Sequence, residues 1–198
     1  MKLAGIAALL LTTASLAHAQ AAPTGQPTLS PELTSARTAL DKYQDPMVAV
    51  ADGFLSTVAC IDFPKGHNEG EMQYVAGGMG VHFLNLGNIG PTMDPMKPQV
   101  LIYEPDGDKL KLVAAEWFAP VAAVGDSPPS IFGQKLEGPM EGHAPIMPAG
   151  LHHYDLHVWL WKNNPAGVFS PTNPDLTCPK KGYSFSGDAP KMVGGHSH

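Results

Sequence analysis

Residues 142–161 read GHAPIMPAGLHHYDLHVWLW, and the alternation in their second half decides the fold class. From His152 to Lys162, the aliphatic Leu156, Val158 and Leu160 fall on one side of an extended chain, and His153, Asp155, His157, Trp159 and Trp161 fall on the other. A helix would bring His153 and His157 to about 6 Å of each other. The β-rich LHVWLW after Pro-Ala-Gly favours a strand whose two faces are both partly buried. On such a strand His153 and His157 stand about 13 Å apart, too far to share one ion unless a turn at His152-His153 shortens the distance, while Asp155 and His157 are about 6.6 Å apart. The twenty residues hold four of the nine histidines, a concentration that points to coordination, titration or pairing.

Partner strands are legible upstream. Val100 to Glu104 is β-rich, Pro105-Asp106-Gly107-Asp108 supplies turn chemistry, and Lys109 to Val113 alternates with period two, which together predict a hairpin over Gln99–Pro120. If the alternation persists, Leu110, Leu112, Ala114, Glu116 and Phe118 share a face, and Glu116 points inward, where a carboxylate requires a partner, a metal or a raised pKa. A register change at Ala114-Ala115 would instead send Glu116 to solvent. Upstream again, Gly77 to Gly80 reads as too glycine-rich to stay regular before a strand at Val81-His82-Phe83-Leu84, which sets His82 opposite Val81 and Phe83.

His157, His82 and Glu116 on neighbouring strands would form a two-imidazole, one-carboxylate set for a divalent transition metal, Fe, Mn, Zn or Cu, open to water or substrate. His153 is the candidate fourth ligand, and Asp155 the residue that holds an imidazole in its ligating tautomer. Met140, His143 and Met147 form a separate soft-donor candidate for copper on the preceding loop. Glu104 and Glu116 are a candidate carboxylate pair for hydrolysis.

The chain has 198 residues, 43% hydrophobic and 15% charged, enough for one core and one domain. Its 21 glycines and 20 prolines argue for short elements joined by turns. A net charge of −6 argues against nucleic acid as a partner. Met1-Lys2, the apolar stretch Leu3–Leu16 and Ala17-His18-Ala19 read as an export signal ending at residue 19, with a mobile leader over 20–30, the domain over 31–187 and a mobile tail over 188–198 carrying His196 and His198. No stretch is long and apolar enough to anchor in a membrane. In an oxidising compartment the two cysteines, Cys60 and Cys178, read as one disulfide; thiolate metal ligation lacks the usual close spacing. Ser30-Pro31-Glu32 begins a helix of about a dozen residues that stops before Asp45-Pro46.

Gly142, Pro148, Gly150 and His153 resemble the second motif of the cupin family, in which a glycine, five residues, Pro-x-Gly and two more residues lead to a ligand histidine. The asparagine of that motif is His157 here, and the family's first motif is absent, since His82 is followed by Phe83-Leu84. A broader likeness, carried by GGMGVHF, VLIYEP and LHVWLWKNNPAGVFSPTNPDLTC with its distant cysteine pair, is to a family of exported bacterial proteins; it implies export and a globular fold and no particular activity.

The expected architecture is therefore a mainly β, single antiparallel barrel or sandwich with an N-terminal helix. The expected function is an exported metal-binding protein, in the cupin-like case a metalloenzyme acting on a small molecule. The alternatives are a periplasmic protein that binds copper or a small ligand without turnover, and a structural module with incidental histidines.

Overall fold

The computed structural model describes residues 27–69, 72–143, 147–180, 182 and 184–194. The predicted signal segment, most of the leader, and His196 and His198 lie outside them. Helix α1 (Pro31–Leu40) starts as its sequence requires: Ser30 Oγ accepts the Leu33 N–H at 3.2 Å, Pro31 fills the first turn, and Leu33, Ala36 and Leu40 form the buried stripe. It tightens into a 3-10 turn at Asp41–Gln44, and Asp45 then caps α2 (Pro46–Ala51) through the Met47 N–H.

The strands that follow are β1 (Leu55–Phe63), β2 (His67–Glu69), β3 (Met72–Tyr74), β4 (Gly77–Leu84), β5 (Val100–Asp106) and β6 (Lys109–Pro120). A short helix α3 (Val121–Val124) leads to β7 (Ser130–Ile131), β8 (Gln134–Lys135) and β9 (Glu137–Met140), and β10 (His153–Val158) and β11 (Ser184–Ser186) complete the set. Seven strands form one sheet, in the order β11-β1-β4-β5-β6-β10-β9, curled into half a barrel. Every pairing in it is antiparallel except β1 with β11, so the sheet is mixed at one edge.

Directly opposed residues of an antiparallel pair share a face, so the register sorts the side chains. Val81 opposes Tyr103, His82 opposes Ile102, and Phe83 opposes Leu101. The face of Val81 and Phe83 is covered by the N-terminal helices: the Tyr103 hydroxyl donates to the Tyr43 carbonyl at 2.7 Å, and its ring lies 4.7 Å from that of Phe83. The other face carries His82.

Three sequence expectations need correction. A register shift in the β5–β6 hairpin opposes Ile102 to Ala114 and Tyr103 to Leu112, leaving Val113 as an extra residue. Leu112 therefore lies on the helix-covered face, away from Ala114 and Glu116, while Glu116 still points inward and is 3% exposed. The glycine run belongs to β4, because the C-terminal loop lies directly against it. A Cβ on Gly77 would stand 2.5 Å from the Asn173 carbonyl oxygen, and one on Gly78 would collide with Leu176. Finally, β10 stops at Val158. Trp159 and Trp161 are held outside the sheet by indole donation to the Ser170 carbonyl at 2.7 Å and to Asp41 Oδ1 at 3.0 Å.

Cys60 on β1 and Cys178 are joined across 118 positions, with Cα atoms 5.6 Å apart. Residues 188–194 run along β9: the Glu141 N–H donates to the Lys191 carbonyl, the Val193 N–H to the Pro139 carbonyl, and Ala189 is buried. Together with Ile61, Phe63, Met72, Tyr74 and Met79 they enclose a second, smaller core around Met140.

Candidate metal centre

Three strands of the one sheet, β4, β6 and β10, deliver one buried cluster. Glu116 on β6 directly opposes His157 on β10 and, on its other side, Val100 on β5. His82 reaches it from β4, across β5, at the position opposite Ile102. Strands lie about 4.8 Å apart, so His82 and Glu116 meet only because both side chains are long and β5 contributes an aliphatic residue at each crossing. The three residues are 3%, 3% and 2% exposed for His82, Glu116 and His157.

Glu116 Oε2 stands 3.6 Å from His82 Nε2 and 3.6 Å from His157 Nε2. These gaps are too long for good hydrogen bonds. Donor atoms held about 2.1 Å from a tetrahedral cation stand about 3.4 Å apart. The three donor atoms lie within 4.8 Å of one another, which makes His82, Glu116 and His157 a group that can hold a metal ion.

The second indication is the distribution of unpaired atoms. Among the described residues, seven buried side-chain nitrogens and oxygens lack a hydrogen-bond partner, and all seven belong to His82, Glu116, His153, Asp155 and His157. Native proteins rarely leave such atoms unsatisfied, at a cost of about 1–3 kcal/mol each. Their concentration in one place is what a site built around a cation looks like when only its protein atoms are counted.

Beyond His157 the string of charge continues. Asp155 Oδ1 is 3.7 Å from His157 Nδ1, on the side of the ring away from Glu116, and Asp155 Oδ2 is 3.5 Å from His153 Nε2. The His153 Nδ1–H donates to the Leu151 carbonyl at 3.1 Å. His153 is thus placed beside Asp155, while the close donor group comprises His82, Glu116 and His157; because β10 begins at His153, no turn brings it nearer to His157.

Electrostatics follow from this arrangement. Burial, reinforced by the neighbouring His157, lowers the His82 imidazole to about 3, leaving it neutral and able to ligate. Burial raises the Glu116 carboxyl, with His157 opposing. For His157 burial acts downward but is outweighed by Glu116 and then Asp155, which hold it up at about 9. Asp155 is held well below the usual carboxylate range: burial opposes this, and the adjacent His153 and His157 imidazoles prevail.

The remaining candidates are dispersed. Met140 sits in the smaller core, where its sulfur accepts the Tyr74 hydroxyl at 3.2 Å, whereas Met147 borders the main core. Glu104 pairs with Lys162 at 3.0 Å, away from Glu116. Two groups near the cluster have no clear sign of their role in the sequence. Glu137 opposes Asp155 on β9 and is raised to about 7 by burial and then by Asp155, and the His143 ring lies 6.0 Å from that of His153. Burial lowers His143 to about 4. The pairing of β9 with β10 was the missing signal.

A cavity of about 330 Å3 opens onto the cluster, with His82 and Glu116 in its wall. Met147, Pro148 and Leu151 form part of its wall. Gly142 donates to the Ala149 carbonyl at 3.1 Å, and a Cβ on Gly142 would collide with the Pro148 carbonyl. Among the described residues no helix is long and apolar enough to cross a membrane, and the disulfide is consistent with an oxidising compartment.

Fold and site together define a β-rich protein with a curled sheet, one disulfide and a buried His/Glu/His cluster able to hold a metal ion. Comparison with protein-family models, with curated proteins and with solved structures found no match.

Proposed function

We propose that this is an exported metalloenzyme in which His82, Glu116 and His157 hold one divalent transition-metal ion through Nε2, Oε2 and Nε2. The observation that carries the reading is the coincidence of three buried donors, spaced for a cation, with a cavity against two of them. Three protein ligands leave coordination positions for water or substrate, the arrangement of catalytic rather than structural sites. Imidazole and carboxylate donors suit Fe, Mn or Zn, and the set has no thioether or thiolate to select Cu(I).

In this reading each residue has a separate task. His82 and His157 supply neutral lone pairs, and Glu116 supplies one negative charge. Asp155 stands 3.7 Å from His157 Nδ1, on the side that keeps Nε2 turned toward Glu116, with His153 balancing its charge from the far side. The bound ion would polarise a coordinated oxygen or lower the pKa of a coordinated water. The histidine at the ligand position of the cupin-like motif, His153, stands next to Asp155, and the donor nearest Glu116 on that strand is His157. The signal segment and the disulfide support a periplasmic or secreted location.

The test is elemental analysis of the purified mature chain beside a His157→Ala variant. One equivalent of metal in the native chain and its loss in the folded variant are expected; equal metal content in both would overturn the reading.

A further inference from the structure

We infer that the cavity beside the cluster binds a small apolar monocarboxylate end-on, its carboxylate toward His82, Glu116 and His157 and its hydrocarbon body against the cavity wall. The inference rests on the metal reading and adds the class of substrate or ligand to it.

The wall gives the first argument. Apart from His82 and Glu116, the one polar side chain lining the cavity among the described residues is Thr57, and its hydroxyl donates to the His82 carbonyl at 3.1 Å. The rest is apolar, aliphatic or ring apart from the Met147 thioether: Leu84, Ile89, Val100, Phe118 and Leu151 surround the space with it, and Leu86, 64% exposed, forms a lip at its edge. No lysine, arginine, amide or free hydroxyl in the wall would meet the polar groups of a sugar, a nucleotide or a peptide, each of which would lose its hydration without replacement. An apolar body loses nothing there.

Charge gives the second. A dication held by Glu116 and two neutral imidazoles leaves one unit of positive charge, while Asp155 is matched by His153 on the side away from the cavity. In a buried site an unbalanced charge is costly, so a single anionic donor completes the site and a neutral one does not. Size gives the third. At about 30 Å3 per water, the cavity holds the equivalent of about eleven waters, which fits a monocarboxylate of about ten non-hydrogen atoms and excludes a long-chain fatty acid lying wholly within it.

The test uses the full mature chain, loaded with Co(II) or with its native metal, and three probes: octanoate, octanamide and hexadecanoate. Octanoate is expected to bind the loaded protein and to change the visible Co(II) bands, with octanamide and hexadecanoate at least tenfold weaker. Removing the metal is expected to weaken octanoate at least tenfold. Leu151→Trp and Ile89→Trp, which fill the cavity from two different loops, are expected to weaken octanoate at least tenfold while each keeps one metal per chain; whichever of the two folds is sufficient.

Equal affinity for octanoate and octanamide, undiminished binding in a folded cavity-filling variant, or unchanged Co(II) bands on saturation would each overturn the inference and leave the metal reading standing. A chain that binds no metal at all would overturn both.

Discussion

On the helix-covered face of the sheet, Tyr103 sends its hydroxyl to the Tyr43 carbonyl at 2.7 Å and Trp161 sends its indole N–H to Asp41 at 3.0 Å. On the opposite face, seven buried nitrogens and oxygens among the described residues have no partner. The same strands build both faces, and both are buried. The difference teaches that the cluster is no by-product of careless packing, because the chain satisfies buried polar atoms where only stability is at stake. Polar groups on the first face stabilise the fold as they stand. Those on the second stabilise it only when something else is bound.

The largest expected effect concerns the covalent tie shared by both faces. Changing Cys60 and Cys178 together to serine should lower unfolding free energy by about 5 kcal/mol, from the entropy of a loop of this length, measured by urea denaturation; a change under about 1 kcal/mol would mean that the unfolded chain is already compact. Next comes the ligand set itself. Glu116→Met removes the one carboxylate between the two imidazoles and should abolish metal uptake, and because Glu116 also holds the His157 proton it should cost the metal-free protein about 3 kcal/mol. A folded variant that keeps one metal per chain would remove Glu116 from the set.

Acidity should separate the faces as well. His157 is held up at about 9 by Glu116 and Asp155 against the effect of burial, so its proton is bound below that pH and must leave when a metal arrives. Apparent metal affinity should therefore rise with pH, by about tenfold per unit for this one proton, and level off above about 9; a flat profile between pH 6 and 8 would remove His157 from the ligand set. The smallest effect belongs to the helix-covered face. Tyr103→Phe should cost about 1 kcal/mol with metal content unchanged, and any loss of metal would show that the two faces are coupled.

How much of this was legible in the sequence follows from the range over which each signal acts. Period-two alternation is local, so the faces of His82 and His157 could be read directly, and so could the Ser30 cap of α1, while the aim of Glu116 stayed open between the interior and solvent. The extra residue at Val113 could not: it is set by how β5 and β6 are aligned, and the alternation of small and aliphatic residues there fits either side. Gly77 and Gly78 read as irregular because the chain that presses on them, Asn173 to Leu176, is about a hundred residues away in sequence. The same reason hid Glu137, which approaches the cluster only because β9 pairs with β10, and hid that His143, read as a copper donor with two methionines, lies beside His153 instead. Docking of residues 188–194 along β9 was equally beyond a local reading, since Gly and Ser content says nothing about a distant edge strand.

The central claim is the position of one cation, and anomalous X-ray scattering from crystals of the metal-loaded protein tests it most directly. The account predicts a single strong peak about 2.0–2.2 Å from each of His82 Nε2, Glu116 Oε2 and His157 Nε2. A peak elsewhere in the chain, or full metal content with nothing among these three atoms, would contradict it.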